Sequence, residues 1–458
     1  MPERLVVIGG DAAGMAAASQ ARKRRGPDDL EILAFERGNH TSYSACGIPY
    51  YVGHVVEDFQ DLIVRTPEEF RNKQSIDVRI RHEVTEVDLG VRTVHVRDLD
   101  NEREFTQQFD RLVVATGATP LRPRLDGSDA TGIFGVQVLD DGLAIEQFLH
   151  NEDPKRAVVV GGGYVGLEMA EALVERGLDV TLVERAPHPM LTLDEDMGGL
   201  VTDALTAIGV EVRVREGVTG FVSDGGFVTG VATDRGTIDT DLVVLGLGAR
   251  PNSELAQRAG IPIGPSGGIK VDRRMRTEVD GVWAAGDCTE KFHLVSRKPV
   301  TIALGTHANK EGRVAGINIG GGYETFPGVV GTAVTKVCGI QIARTGLKED
   351  EAAAAGFRYV SATVDSTTRA GYFPGAAPIK TKLIVELNSG RLLGAQIVGK
   401  EGAAKRIDVL AAALWNEMTV DEMLNMDLSY APPFAPVWDP VLIAARKAWE
   451  KVEDNLRR

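Results

Sequence analysis

Cysteine is scarce in this chain. Only three of the 458 residues are cysteines (Cys46, Cys288 and Cys338), and they lie far apart in the sequence. Three are too few for a disulfide framework, and their spacing matches no zinc-ligand pattern. We therefore expect no metal site, and a protein of the reducing cytoplasm, where structural disulfides are rare.

Basic residues are fewer than acidic ones, and the apolar runs are short. Lysine and arginine number 51 against 65 aspartates and glutamates, so the net charge is −14. An acidic chain is a poor general binder of nucleic acid. The apolar runs are far shorter than the ~20 residues of a spanning helix, and the amino terminus enters a strand pattern without a secretory apolar segment. We expect a cytoplasmic protein that binds neither nucleic acid nor membrane.

Two parts of the chain repeat one design. Residues 4–25 followed by 30–38 have the same pattern as residues 156–177 followed by 178–186. Each part contains an unbroken apolar strand, a glycine turn, an alanine-rich helix and a second strand that ends in glutamate. Strands without polar alternation are typical of parallel sheets that are buried on both faces. The pattern predicts two dinucleotide-binding βαβ units.

The second unit has the complete glycine fingerprint. Gly161, Gly163 and Gly166 follow its first strand, and Glu184 comes 18 residues after Gly166. These glycines allow a tight turn, close approach of the backbone to a pyrophosphate, and close packing of helix on strand. With a strand before it and a helix after it, the fingerprint predicts a nucleotide site rather than a plain turn.

The first unit departs from the fingerprint at one position. Gly9 and Gly14 are present and Glu36 comes 22 residues after Gly14, but Asp11 occupies the middle position. A carboxylate there would repel a phosphate unless it points away. Gly10, beside it, is expected to supply the close approach of the backbone.

Two shorter signals flank the second unit. Residues 111–120 (RLVVATGATP) and 280–290 (DGVWAAGDCTE) each read as a strand that ends in a glycine turn. In the later one Asp287 follows Gly286 directly, where it is either a turn residue or an acceptor for the hydroxyls of a polyol or ribose. After about Phe326 strands and helices alternate without glycine fingerprints, which indicates a separate carboxy-terminal domain.

The two βαβ units, with ATGATP between them and AAGDCT after the second, resemble the pyridine nucleotide–disulfide oxidoreductases along essentially the whole chain. The resemblance implies an α/β fold with two dinucleotide-binding Rossmann-like domains and an α+β carboxy-terminal dimerisation domain. It also implies FAD as cofactor, with NADH or NADPH, and a homodimer. The implied division is 1–119 and 250–325 for FAD, 120–249 for NAD(P)H, and 326–458 for dimerisation.

The resemblance also implies which residues contact the cofactors. Glu36 would hold the adenosine ribose of FAD and Asp287 its ribityl chain. Glu184 would bond the 2′-hydroxyl of NADH and repel a 2′-phosphate, whereas Arg185 beside it leaves NADPH open. The other implied contacts are Gly9, Gly10, Ala13, Gly14, Arg37, Ser44, Ala115, Thr116, Gly117, Gly161, Gly163, Tyr164, Val165, Gly166, Gly248 and Gly286.

Cys46 lies in SYSACGIPYY, residues 42–51. Taken alone, the segment allows three interpretations of this thiol: a reactive centre, one half of a disulfide, or a side chain packed in the core. The segment resembles the single-cysteine branch of the family, since the other branch has a second cysteine where this chain has Tyr51. The resemblance therefore implies a catalytic Cys46 that pairs with a small thiol, a persulfide or oxygen as sulfenic acid. Such a thiol needs a lowered pKa, and we expect a helix beginning just after it, with Pro49 in its first turn.

Features elsewhere discriminate among the chemistries of this branch. Its oxidases and peroxidases carry a histidine in the first glycine turn, where this chain has Ala12. Residues 400–410 and 428–441 resemble the coenzyme A-disulfide and persulfide reductases. In these, tyrosines reach the cysteine of the partner subunit, which implies catalytic roles for Tyr430 and for Tyr372.

The substrate contacts are predicted around the end of the first long helix. Residues 21–26 (ARKRRG) concentrate four cations, which suit the helix dipole as a solvated face and, by resemblance, the phosphates of coenzyme A. The implied substrate-binding residues are Gln20, Arg22, Lys23 and Ser42.

The predicted function is FAD-dependent reduction of a small disulfide by NAD(P)H, with coenzyme A disulfide as the favoured substrate. A persulfide or polysulfide reductase and an NADH oxidase remain as alternatives on the same scaffold. An alternative of another class is a flavoprotein that passes electrons to a protein partner or acts as a redox sensor, but such a protein needs no cysteine beside its flavin.

Overall fold

The computed structural model describes residues 2–457, so the outer ends of the predicted segments, residues 1 and 458, lie outside it. Strands β1 to β25 are, in chain order, Glu3–Ile8, Leu30–Phe35, Ile76–Arg79, His82–Asp88, Thr93–Asp98, Arg103–Gln108, Arg111–Val114, Ala118–Pro120, Ile133–Gly135, Arg156–Val160, Asp179–Glu184, Glu211–Val214, Val218–Asp224, Phe227–Thr233, Gly236–Asp239, Leu242–Leu245, Ala249–Pro251, Val282–Ala284, Lys291–Phe292, Pro299–Val300, Ala333–Val337, Ile340–Gly346, Tyr359–Thr367, Pro378–Glu386 and Leu392–Gly399.

The α-helices are numbered in the same way. Helices α1 to α12 are Ala12–Arg22, Ile48–Val52, Pro67–Gln74, Leu139–Glu152, Tyr164–Glu175, Glu195–Ala207, Glu254–Arg258, Gly305–Ile319, Glu349–Ala354, Ile407–Trp415, Val420–Met423 and Pro440–Leu456. Within residues 2–457 no helix is both long and apolar enough to cross a membrane.

The first βαβ unit lies in a five-stranded parallel sheet of order β18-β7-β1-β2-β3. Its central strand carries Leu5, Val6 and Val7, all fully buried. Apolar side chains that point to both faces of a strand require cover on both faces. Helices α1 and α8 pack against one face. The antiparallel sheet β4-β5-β6 joins the core on the other face.

The second unit forms an equivalent sheet of order β12-β11-β10-β16-β9, which is also parallel throughout. Val158 and Val159 of β10 are fully buried, and α5 begins directly after the glycine turn. Parallel strands joined by helices bring the carboxyl ends of β10 and β11 to one edge of the sheet, where dinucleotides bind in such folds.

Helices α1 and α8 pack closely because small residues face each other. A Cβ added to Gly312 would overlap the backbone carbonyl of Ala13, and one added to Gly316 would overlap the carbonyl of Ala17. Only glycine at these two positions lets the helix backbones approach to this distance. This contact attaches the carboxy-terminal part of the first sheet domain to its amino-terminal part.

The carboxy-terminal part is an antiparallel sheet of order β21-β22-β25-β24-β23. A buried polar cluster fixes it to α6 of the second unit. The ammonium of Lys382, whose side chain is 5% exposed, lies 3.1 Å from Asp194, 2.8 Å from Asp196 and 3.0 Å from Glu349. Gln396 completes the cluster by accepting from the Asp194 amide at 2.8 Å and donating to its carboxylate at 2.7 Å.

Candidate functional site

A cavity of 460 Å³ opens at the carboxyl ends of β1, β2 and β7. Parallel topology brings these three strand ends together, although β7 ends more than 100 residues after β1 in the sequence. The cavity is lined by seven of the residues predicted to bind cofactor: Gly9, Glu36, Arg37, Ala115, Thr116, Gly117 and Asp287. Tyr43 and Ala45, the latter directly before Cys46, form part of the same wall.

The first glycine turn has the backbone that a pyrophosphate site needs. Gly9 has a φ of +105°, which side chains other than glycine rarely adopt, and a Cβ on Gly14 would overlap the Gly9 carbonyl. The turn is braced by Glu36, whose carboxylate accepts from the amides of Gly10 and Gly38, both at 2.7 Å. Glu36 therefore stands at the cavity wall with its position set by two backbone donors.

Asp11, which the sequence left without an explanation, lines the same cavity. Its carboxylate accepts a hydrogen bond from the Tyr43 amide at 3.3 Å. Desolvation raises its pKa to about 6, with smaller contributions from the charges of Glu36 and Asp287 and an opposing one from the Tyr43 amide. Near neutral pH the group is thus poised to take up a proton when negative charge enters the cavity.

Asp287 meets the cavity with an unsatisfied oxygen. Its Oδ1 is buried and has no hydrogen-bond partner among the described residues. Desolvation raises the pKa of this carboxyl, and the ammonium of Lys291 opposes the shift. A buried acceptor without a donor is costly, and hydroxyls of a ribityl or ribose group would satisfy it. The cavity, the glycine turn and this oxygen together fit the diphosphate and polyol of FAD.

The second unit reproduces the brace of the first. The carboxylate of Glu184 accepts from the amides of Gly162 and Ala186, both at 2.8 Å. Gly161 has a φ of +99°, and Gly166 packs against its carbonyl. The remaining predicted residues of this unit lie around the same turn or after β16: Gly163, Tyr164, Val165 and Gly248.

Cys46 lies in a 3-10 turn, Ala45–Gly47, that leads directly into α2. Pro49 stands in the first turn of α2, as predicted. A side chain on Gly47 would overlap Leu62, so the turn is held against the segment that follows α2. The thiol is free and exposed. Ser42 and Ser44 flank it and are tied through their backbones, with the Ser44 amide donating to Leu62 at 2.8 Å.

The electrostatics at Cys46 differ from the prediction. Its pKa is raised rather than lowered, first by desolvation and then by the negative charges of Glu168 and Asp287. Glu168 lies on α5, is mostly buried, and accepts from the Thr335 hydroxyl at 2.6 Å. The charged groups that act on the thiol are carboxylates and not cations, so the expected depression is wrong for this arrangement.

The other two cysteines are packed into the interior. Cys288 is fully buried and its thiol lies 3.4 Å from the Ala285 carbonyl. Cys338 sits at the β21–β22 turn with a φ of +53°, and its amide donates to Glu171 at 2.6 Å. Both are free thiols, which leaves Cys46 as the exposed one.

The two predicted catalytic tyrosines lie together on the carboxy-terminal part. Tyr372 and Tyr430 are 78% and 47% exposed. Desolvation, followed by the charge of Tyr372, raises the pKa of Tyr430. The structure thus pairs the two phenols at the surface.

Family models match most of the chain. Residues 3–312 match "Pyridine nucleotide-disulphide oxidoreductase", and residues 332–440 match the dimerisation domain of the same family. The chain belongs to the pyridine nucleotide-disulphide oxidoreductase family.

Individual family members are similar over nearly the full length. The NAD(P)H sulfur oxidoreductase (CoA-dependent) of Pyrococcus abyssi is 40% identical over 96% of this chain and 97% of its own. The coenzyme A disulfide reductase of Staphylococcus haemolyticus is 32% identical over 97% and 99%. The structure of an NAD-dependent persulfide reductase from A. fulgidus superposes with a TM-score of 0.95 at 40% identity, covering 98% of this chain and 84% of that one.

Family membership confirms the main predictions. The chain has the predicted fold class and is an FAD-dependent NAD(P)H oxidoreductase. Its relatives include coenzyme A disulfide reductases, sulfur and persulfide reductases and an NADH oxidase from Methanocaldococcus jannaschii that is 36% identical. Among the described residues no group of three or more histidine, cysteine, aspartate or glutamate side chains could hold a metal ion.

The cluster at the end of α1 is less available to a ligand than predicted. The guanidinium of Arg22 donates to the carbonyls of Gln74, Arg25 and Ser75, at 2.9, 3.0 and 3.0 Å. Arg22 therefore fixes the end of α3 to α1, and the geometry does not support its predicted contact with substrate. Gln20 lies against α8, and Lys23 is exposed.

Sequence reasoning missed Asn252, which closes one end of the cavity. Its side-chain amide donates to the Thr116 carbonyl at 2.8 Å, and its Oδ1 accepts from the Thr119 hydroxyl at 2.6 Å. It follows β17, the strand that pairs with β8. No spacing rule connects these distant segments, so only the folded chain reveals the contact.

Proposed function

We propose that this protein reduces coenzyme A disulfide with NADH or NADPH, using Cys46 as the nucleophile. The observation that carries the proposal is a single exposed thiol next to the wall of the FAD cavity, with the other two cysteines buried. Such a thiol has no neighbouring protein partner and must exchange with a small thiol or sulfane sulfur.

In the proposed cycle FAD, when bound, accepts hydride from the nicotinamide and supplies an electron pair for sulfur. Cys46, as the thiolate, attacks one sulfur of the disulfide, and one coenzyme A leaves as thiolate. A phenol can give that thiolate its proton, a role we assign to Tyr430 with Tyr372 beside it. Reduction of the mixed disulfide then frees the second coenzyme A and restores Cys46.

The cofactor contacts belong to the proposal as well. The first glycine turn with Glu36 and Asp287 would hold FAD. Residues 161–166 with Glu184 would hold the nicotinamide dinucleotide and favour NADH, because a carboxylate opposes a 2′-phosphate. We also propose the four-segment division at residues 119, 249 and 325, and a cytoplasmic location.

We propose a homodimer formed through the carboxy-terminal aromatic patch. This patch comprises exposed aromatic and apolar side chains on one part of the chain: Tyr372, Tyr430, Phe434, Val437 and Trp438. Monomeric proteins seldom leave such large apolar groups exposed together. The region matches a family model described as a dimerisation domain, and a second copy would bring Tyr430 to the other chain's Cys46.

Reduction of a persulfide is the second candidate. The relatives described as a sulfur oxidoreductase and as a persulfide reductase are both 40% identical, against 32% for the coenzyme A disulfide reductase. The attack of Cys46 on sulfur is common to both reactions, so the acceptor alone distinguishes them. Ala12 in place of the histidine of the oxidases argues against oxygen.

The test is anaerobic oxidation of NADH and of NADPH by the FAD-loaded protein, with coenzyme A disulfide as the sole acceptor. We expect rapid turnover that Cys46→Ser abolishes while leaving flavin reduction by NADH intact. If the flavin is reduced but coenzyme A disulfide is not turned over, and coenzyme A persulfide is turned over, the protein is a persulfide reductase, the second candidate.

A further inference from the structure

A buried ion pair lies beneath the turn that carries Asp287. Lys291 and Glu311 have side chains 1% and 0% exposed, and their charged atoms are 3.4 Å apart. Glu311 comes from α8 and Lys291 from β19, so two separate elements deliver the pair. Because the cost of taking two charges out of water can exceed what their pairing returns, such a pair contributes little to stability by itself.

Both members bind the backbone of the Gly286 turn. Glu311 accepts from the Gly286 amide at 2.8 Å and from the Thr289 hydroxyl at 2.8 Å. Lys291 donates to the Gly286 carbonyl at 2.9 Å and to the Thr289 carbonyl at 3.2 Å. The pair thus clamps Gly286 on both of its polar groups, and Asp287, the next residue, takes its direction from that clamp.

Lys291 also places a buried positive charge near Asp287. Its charge opposes the desolvation that raises the pKa of Asp287, and so favours the ionised carboxylate that accepts hydrogen bonds. The buried His307 supplies no second positive charge, because desolvation, followed by the charge of Lys291, lowers its pKa to about 4.

We propose that Lys291 and Glu311 are positioning residues for the flavin cofactor. They hold the Gly286–Asp287 turn so that Asp287 meets the polyol of FAD, and their charges act on the flavin through the buried interior. The inference rests on the FAD site of the proposed function and is independent of which sulfur compound the enzyme reduces.

The test compares Lys291→Met and Glu311→Gln in the FAD-loaded protein by two measurements. The first is the rate at which FAD is released on dilution, followed by the gain in flavin fluorescence, which we expect to rise at least fivefold in both variants. The second is the flavin midpoint potential. Reduction adds negative charge to the flavin, so loss of the cation should lower the potential and loss of the carboxylate should raise it.

Lys382→Met is the matched control, because Lys382 is also a buried lysine in a cluster of carboxylates, but at the junction with α6. It should destabilise the protein without changing FAD release or the potential. If Lys291→Met fails to fold, the double variant Lys291→Met/Glu311→Met removes both charges together, a change that buried pairs often tolerate. It should still release FAD at least fivefold faster.

Three results would overturn the proposal. The first is FAD release from the Lys291 and Glu311 variants that is less than fivefold faster than from the wild type. The second is potentials that do not move in opposite directions in the two single variants. The third is an equal effect of Lys382→Met, which would attribute the change to general loss of stability. Turnover of wild-type protein on coenzyme A disulfide is measured separately, so failure of that reaction leaves this test valid.

Discussion

At the scale of single residues, the reactivity of Cys46 depends on the carboxylates around it. A thiolate beside oxidised flavin donates charge to it and gives a long-wavelength absorption band. Because Glu168 contributes to the raised pKa of Cys46, we expect this band to appear at lower pH in Glu168→Gln than in the wild type. The band should be absent from Cys46→Ser at every pH.

The measurement is a spectrophotometric pH titration of the FAD-loaded protein. Glu175→Gln is the control, because Glu175 lies on the same helix but is exposed and does not act on the thiol. If Glu168→Gln and Glu175→Gln titrate at the same pH as the wild type, the charge of Glu168 does not govern the thiol.

A second prediction at this scale concerns Asp11 and the pH dependence of stability. Its pKa in the fold, about 6, is above the ordinary value of 3.8, so the folded state prefers the neutral carboxyl. The fold loses stability as pH rises from about 4 to about 6, because ionisation is harder in the folded chain than in the unfolded one. Asp11→Asn removes this loss. Its advantage over the wild type should grow across that interval and stay constant above it.

Urea unfolding of the protein without cofactor, repeated between pH 4 and pH 7 for both proteins, gives this difference. Asp28→Asn, in the exposed turn after α1, serves as control. A constant difference between Asp11→Asn and the wild type at all pH values would contradict the assigned pKa.

At the scale of elements, two glycine-to-alanine changes should have opposite effects on stability, one in the α1–α8 contact and one on α6. In Gly316→Ala the new methyl group would overlap the Ala17 carbonyl, and overpacking typically costs about 1–3 kcal/mol. Gly199 lies in α6 with open space around it, so Gly199→Ala should stabilise by about 0.5–1 kcal/mol through higher helix propensity. Free energies of unfolding from urea titrations measure both. A neutral Gly316→Ala would show that the two helices separate easily.

The elements also differ in how far the sequence predicts them. The βαβ units follow from local pattern, because unbroken apolar strands and the glycines of 161–166 carry their own signal. The brace from Asn252 to Thr116 depends on a contact between distant segments, for which no local pattern exists. Arg22 shows the same limit within the site. The carbonyls of Gln74 and Ser75 at the end of α3, together with that of Arg25, take the donors that the sequence offered to a phosphate.

At the scale of the whole molecule, the proposed pairing of Cys46 with Tyr430 depends on assembly. Cys46 lies beside the FAD cavity, whereas Tyr430 belongs to the exposed carboxy-terminal aromatic patch. If Tyr430 serves the thiol of the other chain in a homodimer, each active site contains residues of both copies. Cys46→Ser and Tyr430→Phe, each inactive or strongly impaired as a homodimer, should then complement each other.

In a dimer of one Cys46→Ser chain and one Tyr430→Phe chain, one site combines the intact cysteine of the second chain with the intact tyrosine of the first. The other site lacks both groups. We expect such heterodimers, co-expressed with two different affinity tags and purified through both, to show about half the wild-type turnover on coenzyme A disulfide, because general acid catalysis, commonly worth about 10²–10⁴-fold, is restored in one site of two. A purified heterodimer no more active than either parent would show instead that Tyr430 does not act across the interface, since an arrangement within one chain leaves both sites of the mixed dimer defective.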